Sequence, residues 1–240
     1  MAKQGCNLIL HSRNLEHTKK VEDEVKTHGV EVYCVQAELA NQDEVTTMLD
    51  ELEAKGTVID IVFNNAAVQI AYRTDYWQTP VEDFVKSFQI NFISIATICN
   101  RLMPKMIERG FGRVINTTSG IKNEPEQAGY AASKAALDKY TKDLASRIEG
   151  TDVMINLTDP GWCRTDLGGP QAHHAVESVI PGITIGAFVN DQKSGRFLVA
   201  QSFVDMTLEE AVAKAESMEA TPYKLSLFLT ERNAANSMKL

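Results

Sequence analysis

The chain has 240 residues, which suits one domain or one domain with a tail, and 44% of them are hydrophobic, enough for a sizeable core. A formal net charge of −8 and a pI near 5.2 argue against a nucleic-acid or acidic-membrane surface as the main partner. No apolar run approaches the roughly 18 residues of a spanning helix, no secretory signal pattern opens the chain, and Cys6, Cys34, Cys99 and Cys163 are too widely spaced for a C-x-x-C pair. Reduced, buried thiols in the cytoplasm are the expectation.

Short apolar runs at 6–11, 30–36, 58–63, 113–116, 153–157 and 196–200 read as strands. Helical patterns lie between and after them, at about 15–28, 41–55, 81–109, 130–149, 172–188 and 207–218. Strands alternating with helices of this length predict an α/β fold, a doubly wound parallel sheet with helices on both faces, as one domain over 1–240. The helix from Val81 carries Phe84, Phe88, Phe92, Ile95, Cys99, Leu102 and Met106 in steps of three and four, one continuous apolar stripe. The next long helix repeats the device with Tyr130, Lys134, Leu137, Thr141, Leu144 and Ile148. The tail over 219–240 is hard to place; its Leu225, Leu227, Phe228 and Leu229 suggest docking onto something such as a neighbouring subunit.

Tyr130 and Lys134 are four residues apart and so share a helical face. An ammonium ~4 Å from a phenol favours the phenolate by about 4 kcal/mol at an effective dielectric near 20, and a phenol poised near neutrality can donate or accept a proton. Both residues begin the inward stripe, where polar groups need partners. Ser119, eleven residues before Tyr130, can supply a second hydrogen bond to the same oxygen. Asn64-Asn65-Ala66-Ala67 directly follows a strand, at the sheet edge where ligands bind in such folds; an ordinary tight turn is the other reading. Asp159-Pro160-Gly161-Trp162 follows another strand, and Thr165 or Asp166 after it could cap a helix. Asn91 interrupts its apolar stripe, where it is a satisfied core asparagine, a bend, or the holder of a water.

In order and spacing, Asn64-Asn65-Ala66-Ala67, Asn91, Asn116-Thr117-Thr118-Ser119, Tyr130 with Lys134, and Pro160-Gly161 resemble the short-chain dehydrogenase/reductase family over about residues 5 to 205. The stretch Asp159 to Leu167 and the late Ser194-Gly195-Arg196-Phe197 look most like its carbonyl-reductase branch. The resemblance implies a Rossmann-like sheet and hydride transfer between a nicotinamide cofactor and a carbonyl or alcohol substrate. It makes Tyr130 the acid–base, Ser119 the holder of the carbonyl oxygen, and Lys134 the residue that lowers the Tyr130 pKa and contacts the nicotinamide ribose. Asn91 positions a water in the relay to Lys134. Asn64, Ala66, Ala67, Pro160, Gly161 and Thr165 are the implied cofactor contacts of the strand-end loops, and Glu38 and Leu39 sit where the family contacts adenine. Ser12 and Arg13 end the first strand where an NAD-preferring site puts an acid; a guanidinium there pairs with a 2′-phosphate, so NADP(H) is expected over NAD(H). Arg13 as a plain surface residue is the bland alternative. A homodimer or homotetramer, associating through the helices at 81–109 and 130–149, is implied as well.

Two departures qualify the resemblance. Ala67 stands where the family has glycine. The family's opening strand and its Thr-Gly-x-x-x-Gly-x-Gly loop, which holds the pyrophosphate, have no counterpart before Gly5. In the family that strand is central, between those at 6–11 and 58–63, so its loss is expected to leave two sheet edges unpaired. One reading makes Met1 an internal methionine of a longer chain; the other makes the chain a truncated relic or binding module without turnover. His173 and His174 invite a metal reading, but spacing places no third ligand, and no metal is expected. Glu124 and Glu126 are expected to be solvated, and the substrate stays open.

Overall fold

The computed structural model describes residues 1–220. The tail segment from Thr221, with its apolar leucines, lies outside the described residues. The strands are β1 (Leu8–Ser12), β2 (Val32–Gln36), β3 (Ile61–Asn64), β4 (Gly112–Thr117), β5 (Val153–Asp159) and β6 (Phe197–Val199), and every ladder among them is parallel. The helices are α1 (Lys19–Lys26), α2 (Gln42–Ala54), α3 (Val81–Phe88), α4 (Ser94–Arg109), α5 (Ala128–Ala145) and α6 (Leu208–Ser217). Parallel strands joined by helical crossovers are the Rossmann-like α/β architecture expected from the alternation.

The chain forms two compact units. The first comprises Met1–Asp60, Ala66–Lys105 and Ile121–Lys134. Its sheet is the β1–β2 pair, in register from Leu8 opposite Val32 to Ser12 opposite Gln36. Asn41 starts α2 by accepting hydrogen bonds from the backbone N–H groups of Asp43 and Glu44, and these two acids complement the positive helix end. The helix then buries Val45, Met48, Leu49 and Leu52, the three-and-four spacing of one face. Between α3 and α4 the helix widens into a π turn over Gln89–Ile93, so the stripe read as one helix is two helices with a bulge at Asn91.

The second unit comprises Ile61–Asn65, Met106–Gly120 and, among the described residues, the chain from Ala135. Its sheet has the order β3-β4-β5-β6, and β4 and β5 are buried along their whole length, as parallel strands covered on both faces should be. Met154, Ile185, Val189, Leu198 and Phe203 form a core with Ala211 and Ala215 of α6. Thr207 and Glu210 close a reciprocal capping box at the start of α6. Arg113 is buried on β4, yet its guanidinium donates to the carbonyls of Val189 and Asp152 and pairs with the Asp152 carboxylate at 2.8 Å.

Among the described residues β1 ladders only with β2, and β3 only with β4. These are the two strands that the resemblance places on either side of its opening strand. One predicted element is absent. The segment 172–188 is not a long helix but two short 3-10 turns, Val176–Val179 and Gly182–Ala187. Pro181 disfavours the helical region for the residue before it, and Ile180 is extended at φ −93° and ψ 135°. Gly182 then abuts a neighbouring segment, because a Cβ there would lie 2.5 Å from the Ala200 backbone.

Candidate active site

In the first unit, Tyr130 and Lys134 occupy the first turns of α5 and are almost fully buried, at 8% and 2% exposure. The Lys134 ammonium stands 5.9 Å from the centre of the Tyr130 ring. Close approach of helices sets this pair in place: a Cβ at Gly129 would come within 3.0 Å of the Asp83 carbonyl oxygen, so glycine lets the head of α5 press against α3. Ser133, between the two, donates to the Tyr130 carbonyl at 2.7 Å and accepts from the Asn91 amide at 3.0 Å.

Asn91 is a satisfied core asparagine. Its side-chain carbonyl accepts from the Val68 N–H at 2.8 Å, and its amide donates to the Val68 carbonyl at 2.9 Å as well as to Ser133. It thereby fixes the loop after Ala66 and Ala67 against the same turn of α5 that carries Lys134. Further on, the loop is tied by the Arg73–Asp83 ion pair at 2.7 Å, by the Arg73 N–H donating to the Glu126 carbonyl, and by Gln127 donating to the Ile70 carbonyl. Burial, then the charges of Glu126 and Glu124, raises the Tyr72 phenol pKa.

The other first-unit candidates line the carboxyl edge of β1 and β2. Arg13 is exposed there, and its guanidinium makes no hydrogen bond or ion pair among the described residues. Ser12 ends β1, and its hydroxyl accepts from the Asn14 N–H at 3.4 Å. Glu38 spends one carboxylate oxygen on the Ala40 N–H at 3.0 Å, and Leu39 is buried.

The second unit places its candidates at the carboxyl edge of its own sheet. Asn64 donates to Asn116 directly opposite it, and Asn116 donates to Thr141 of α5, each at 2.8 Å. This buried amide chain locks the end of β3 to β4, which is why an asparagine opens the Asn-Asn-Ala-Ala loop. The Thr118 hydroxyl donates to the Asp138 carboxylate, and the Thr118 N–H donates to the Thr158 carbonyl, which carries the β4–β5 ladder up to Ser119. Opposite that edge, β5 ends at Asp159, whose Oδ1 accepts from the Gly161 N–H at 2.9 Å. Gly161 has φ +74°, a left-handed conformation that favours glycine, and a Cβ there would press on Gln201 and His174 at 3.2 Å. Gln201 in turn donates to the Pro160 carbonyl. Thr165 accepts from the Gly168 N–H and so closes a turn rather than capping a helix. Burial foremost, then the Asp159 charge, pushes the Cys163 thiol pKa up, with Arg164 opposing. Asp138 and Ser133 were not singled out from sequence; Thr141 entered only as a member of the inward stripe, and Asp159 only as the start of a strand-end loop.

Residues 1–175 match the family model for short chain dehydrogenases, well over half of the chain. The chain belongs to the short chain dehydrogenase family. It is thus an oxidoreductase of the NAD(P)-dependent kind that acts on CH–OH and C=O groups. Among curated relatives, a 3-oxoacyl-[acyl-carrier-protein] reductase FabG of Staphylococcus aureus is 26% identical over 199 residues, 80% of this chain and 78% of that protein. Retinol dehydrogenase 13 of Mus musculus is 27% identical over 205 residues, 78% of this chain and 60% of that protein. Among solved structures, a gluconate 5-dehydrogenase of Burkholderia cenocepacia in complex with NADP and tartrate superimposes with a TM-score of 0.70 at 24% identity, over 88% of this chain and 88% of that one. The carbonyl reductase Sniffer of D. melanogaster does so with a TM-score of 0.68 at 21% identity, over 83% and 90%. At these identities the structures speak for the fold.

Proposed function

We propose that the chain is an NADP(H)-dependent carbonyl reductase. Tyr130 is its proton donor, Ser119 the hydrogen-bond donor to the carbonyl oxygen, Lys134 the cation that favours the Tyr130 phenolate, and Asn91 the residue that positions them. The observation that carries the reading is the burial of Tyr130 and Lys134 together on α5. A lysine is seldom taken out of water without a role for its charge. Asn91 fixes Ser133 and the Val68 loop, and it positions a water in the proton relay to Lys134.

NADPH supplies the hydride when bound. The residues at hand suit its two ends: Arg13 and Ser12 for the 2′-phosphate, Glu38 and Leu39 beside the adenine, Asn64, Ala66 and Ala67 along the ribose side, and Pro160, Gly161 and Thr165 for the nicotinamide carboxamide. The uncommitted guanidinium of Arg13 supports NADP(H) over NAD(H), since it matches a dianionic phosphate and offers nothing specific to a ribose hydroxyl. No group of three or more metal-ligating side chains occurs among the described residues, and none is invoked for this chemistry.

The test is reduction of a panel of ketones, aldehydes and quinones by the 240-residue protein, followed by loss of NADPH absorbance, beside calorimetric NADPH binding. Turnover with NADPH favoured over NADH is expected. Tight NADPH binding with no turnover across the panel would favour the silent relic instead. We place the protein in the cytoplasm and expect a homodimer or homotetramer; the free cysteines suit a reducing compartment.

A further inference from the structure

The end of β5 holds a carboxylate whose charge the fold does not use. Asp159 is 91% buried, being 9% exposed. Its Oδ1 closes the turn to Gly161, a task that asparagine performs equally well. Its Oδ2 takes no hydrogen bond, and no arginine, lysine or histidine forms an ion pair with it, among the described residues. That oxygen points at the strand-end loop of β4: a Cβ built on Gly120 would lie only 2.7 Å from it. Gly120 directly follows Ser119. Burial foremost, then the Asp159 charge, raises the Cys163 thiol pKa, with Arg164 opposing, and the His174 ring lies beside Gly161 two residues on. Asp159 Oδ2 is not among the fully buried polar atoms without a partner, so this oxygen is the part of the side chain that stays accessible at the strand end, where a ligand hydroxyl can reach it.

We propose that Asp159 is a specificity-determining residue, and that the substrate is a carbonyl compound bearing a hydroxyl on the carbon beside the carbonyl. With the carbonyl oxygen on Ser119, as the functional reading above requires, Oδ2 accepts the hydrogen bond of that neighbouring hydroxyl. The same charge repels a carboxylate in that place, so α-keto acids are excluded.

Three ketones of one shape test this: 2-hydroxyacetophenone, acetophenone and phenylglyoxylate, reduced with NADPH by the wild type, by Asp159→Asn and by Asp166→Asn. The last removes an exposed carboxylate of the same loop and serves as control. The wild type is expected to show kcat/KM for 2-hydroxyacetophenone on the order of tenfold above acetophenone, the worth of one hydrogen bond to a charged acceptor. In Asp159→Asn that ratio falls toward one and phenylglyoxylate gains, because an amide donor replaces the carboxylate oxygen; Asp166→Asn keeps the wild-type ratio. An unchanged ratio in Asp159→Asn, or an equal fall in Asp166→Asn, overturns the assignment.

A second readout separates this inference from the reductase reading on which it rests. Calorimetry with NADPH present compares 1-phenyl-1,2-ethanediol with mandelate, neither of which NADPH can reduce. Should no ketone turn over, the reductase reading fails, and the binding order alone decides for Asp159. Diol tighter than mandelate in the wild type, with the gap closed or reversed in Asp159→Asn, supports the assignment. The same order and gap in both proteins contradicts it.

Discussion

At the scale of single residues, the polar groups of this chain divide by whether the fold consumes them. Asn64, Asn116 and Thr141 spend their side chains on one another, and Asn91 spends its own on Val68 and Ser133. Arg13 and the second oxygen of Asp159 are left over. Leftover charge is where ligand chemistry is to be sought, since structural roles would have been visible as bonds. For Arg13 this yields a direct expectation: Arg13→Glu should raise the KM for NADPH tenfold or more, the scale of one lost charge-assisted bond, while the KM for NADH stays nearly level. Steady-state kinetics with both cofactors checks it, and equal losses for the two would show that Arg13 only supports the loop. The sequence already marked Arg13 through its place at a strand end. It could not mark Asp159, because an Asp before Pro-Gly reads as a turn former until its second oxygen is seen to lack a donor.

At the scale of elements, the alternation of strand and helix was legible because each strand is a short apolar run and each long helix carries an inward stripe. The stretch 172–188 was not legible as turns, since its apolar residues keep helical spacing while Pro181 and the tight approach of Gly182 to Ala200 forbid the helix. Nor could the π turn at Gln89–Ile93 be read, because one extra residue in a helical turn barely disturbs a hydrophobic stripe. Between α2 and α4, Glu53 meets both Arg101 and Lys105, and these two cations, Arg101 foremost, hold its carboxyl down to about 2 from an ordinary 4.5. The folded pKa is thus below the unfolded one. The contribution is present above about pH 4.5 and is lost as pH falls toward 2. Glu53→Gln should therefore melt below the wild type at pH 6, with the two curves converging by pH ~2; the pairs are partly solvated, so the gap should be small and should shrink further in salt. Thermal melts across that range decide it, and a gap that persists unchanged at the acid end would rule the ion pairs out as its source.

At the scale of the whole molecule, the described chain comprises two compact units with separate parallel sheets, and β1 and β3 each ladder on one side only. That each of these two strands pairs on one side was expected from the order of the motifs that follow them. The first unit also exposes apolar side chains where a solvated helix would carry polar ones: Trp77 is 84% exposed, Val81 70% and Val85 63%. Large apolar side chains left this exposed are a reason to expect burial against a second copy. In sedimentation velocity the protein should run as a dimer or tetramer, and Val85→Lys should shift it toward the monomer without lowering its melting temperature. A wild type that sediments as a monomer at micromolar concentration would remove the association through α3.

The central claim is that Tyr130 is the acid–base of a carbonyl reduction, and its most direct measurement is the turnover of Tyr130→Phe beside its NADPH affinity. The change removes one hydroxyl from a buried ring and leaves its shape. Turnover of any ketone that the wild type reduces should fall by about a hundredfold to ten-thousandfold, the range of one proton-transfer group, while the dissociation constant for NADPH stays within about twofold. Turnover at the wild-type rate with unchanged binding would contradict the account and take the chemistry away from α5.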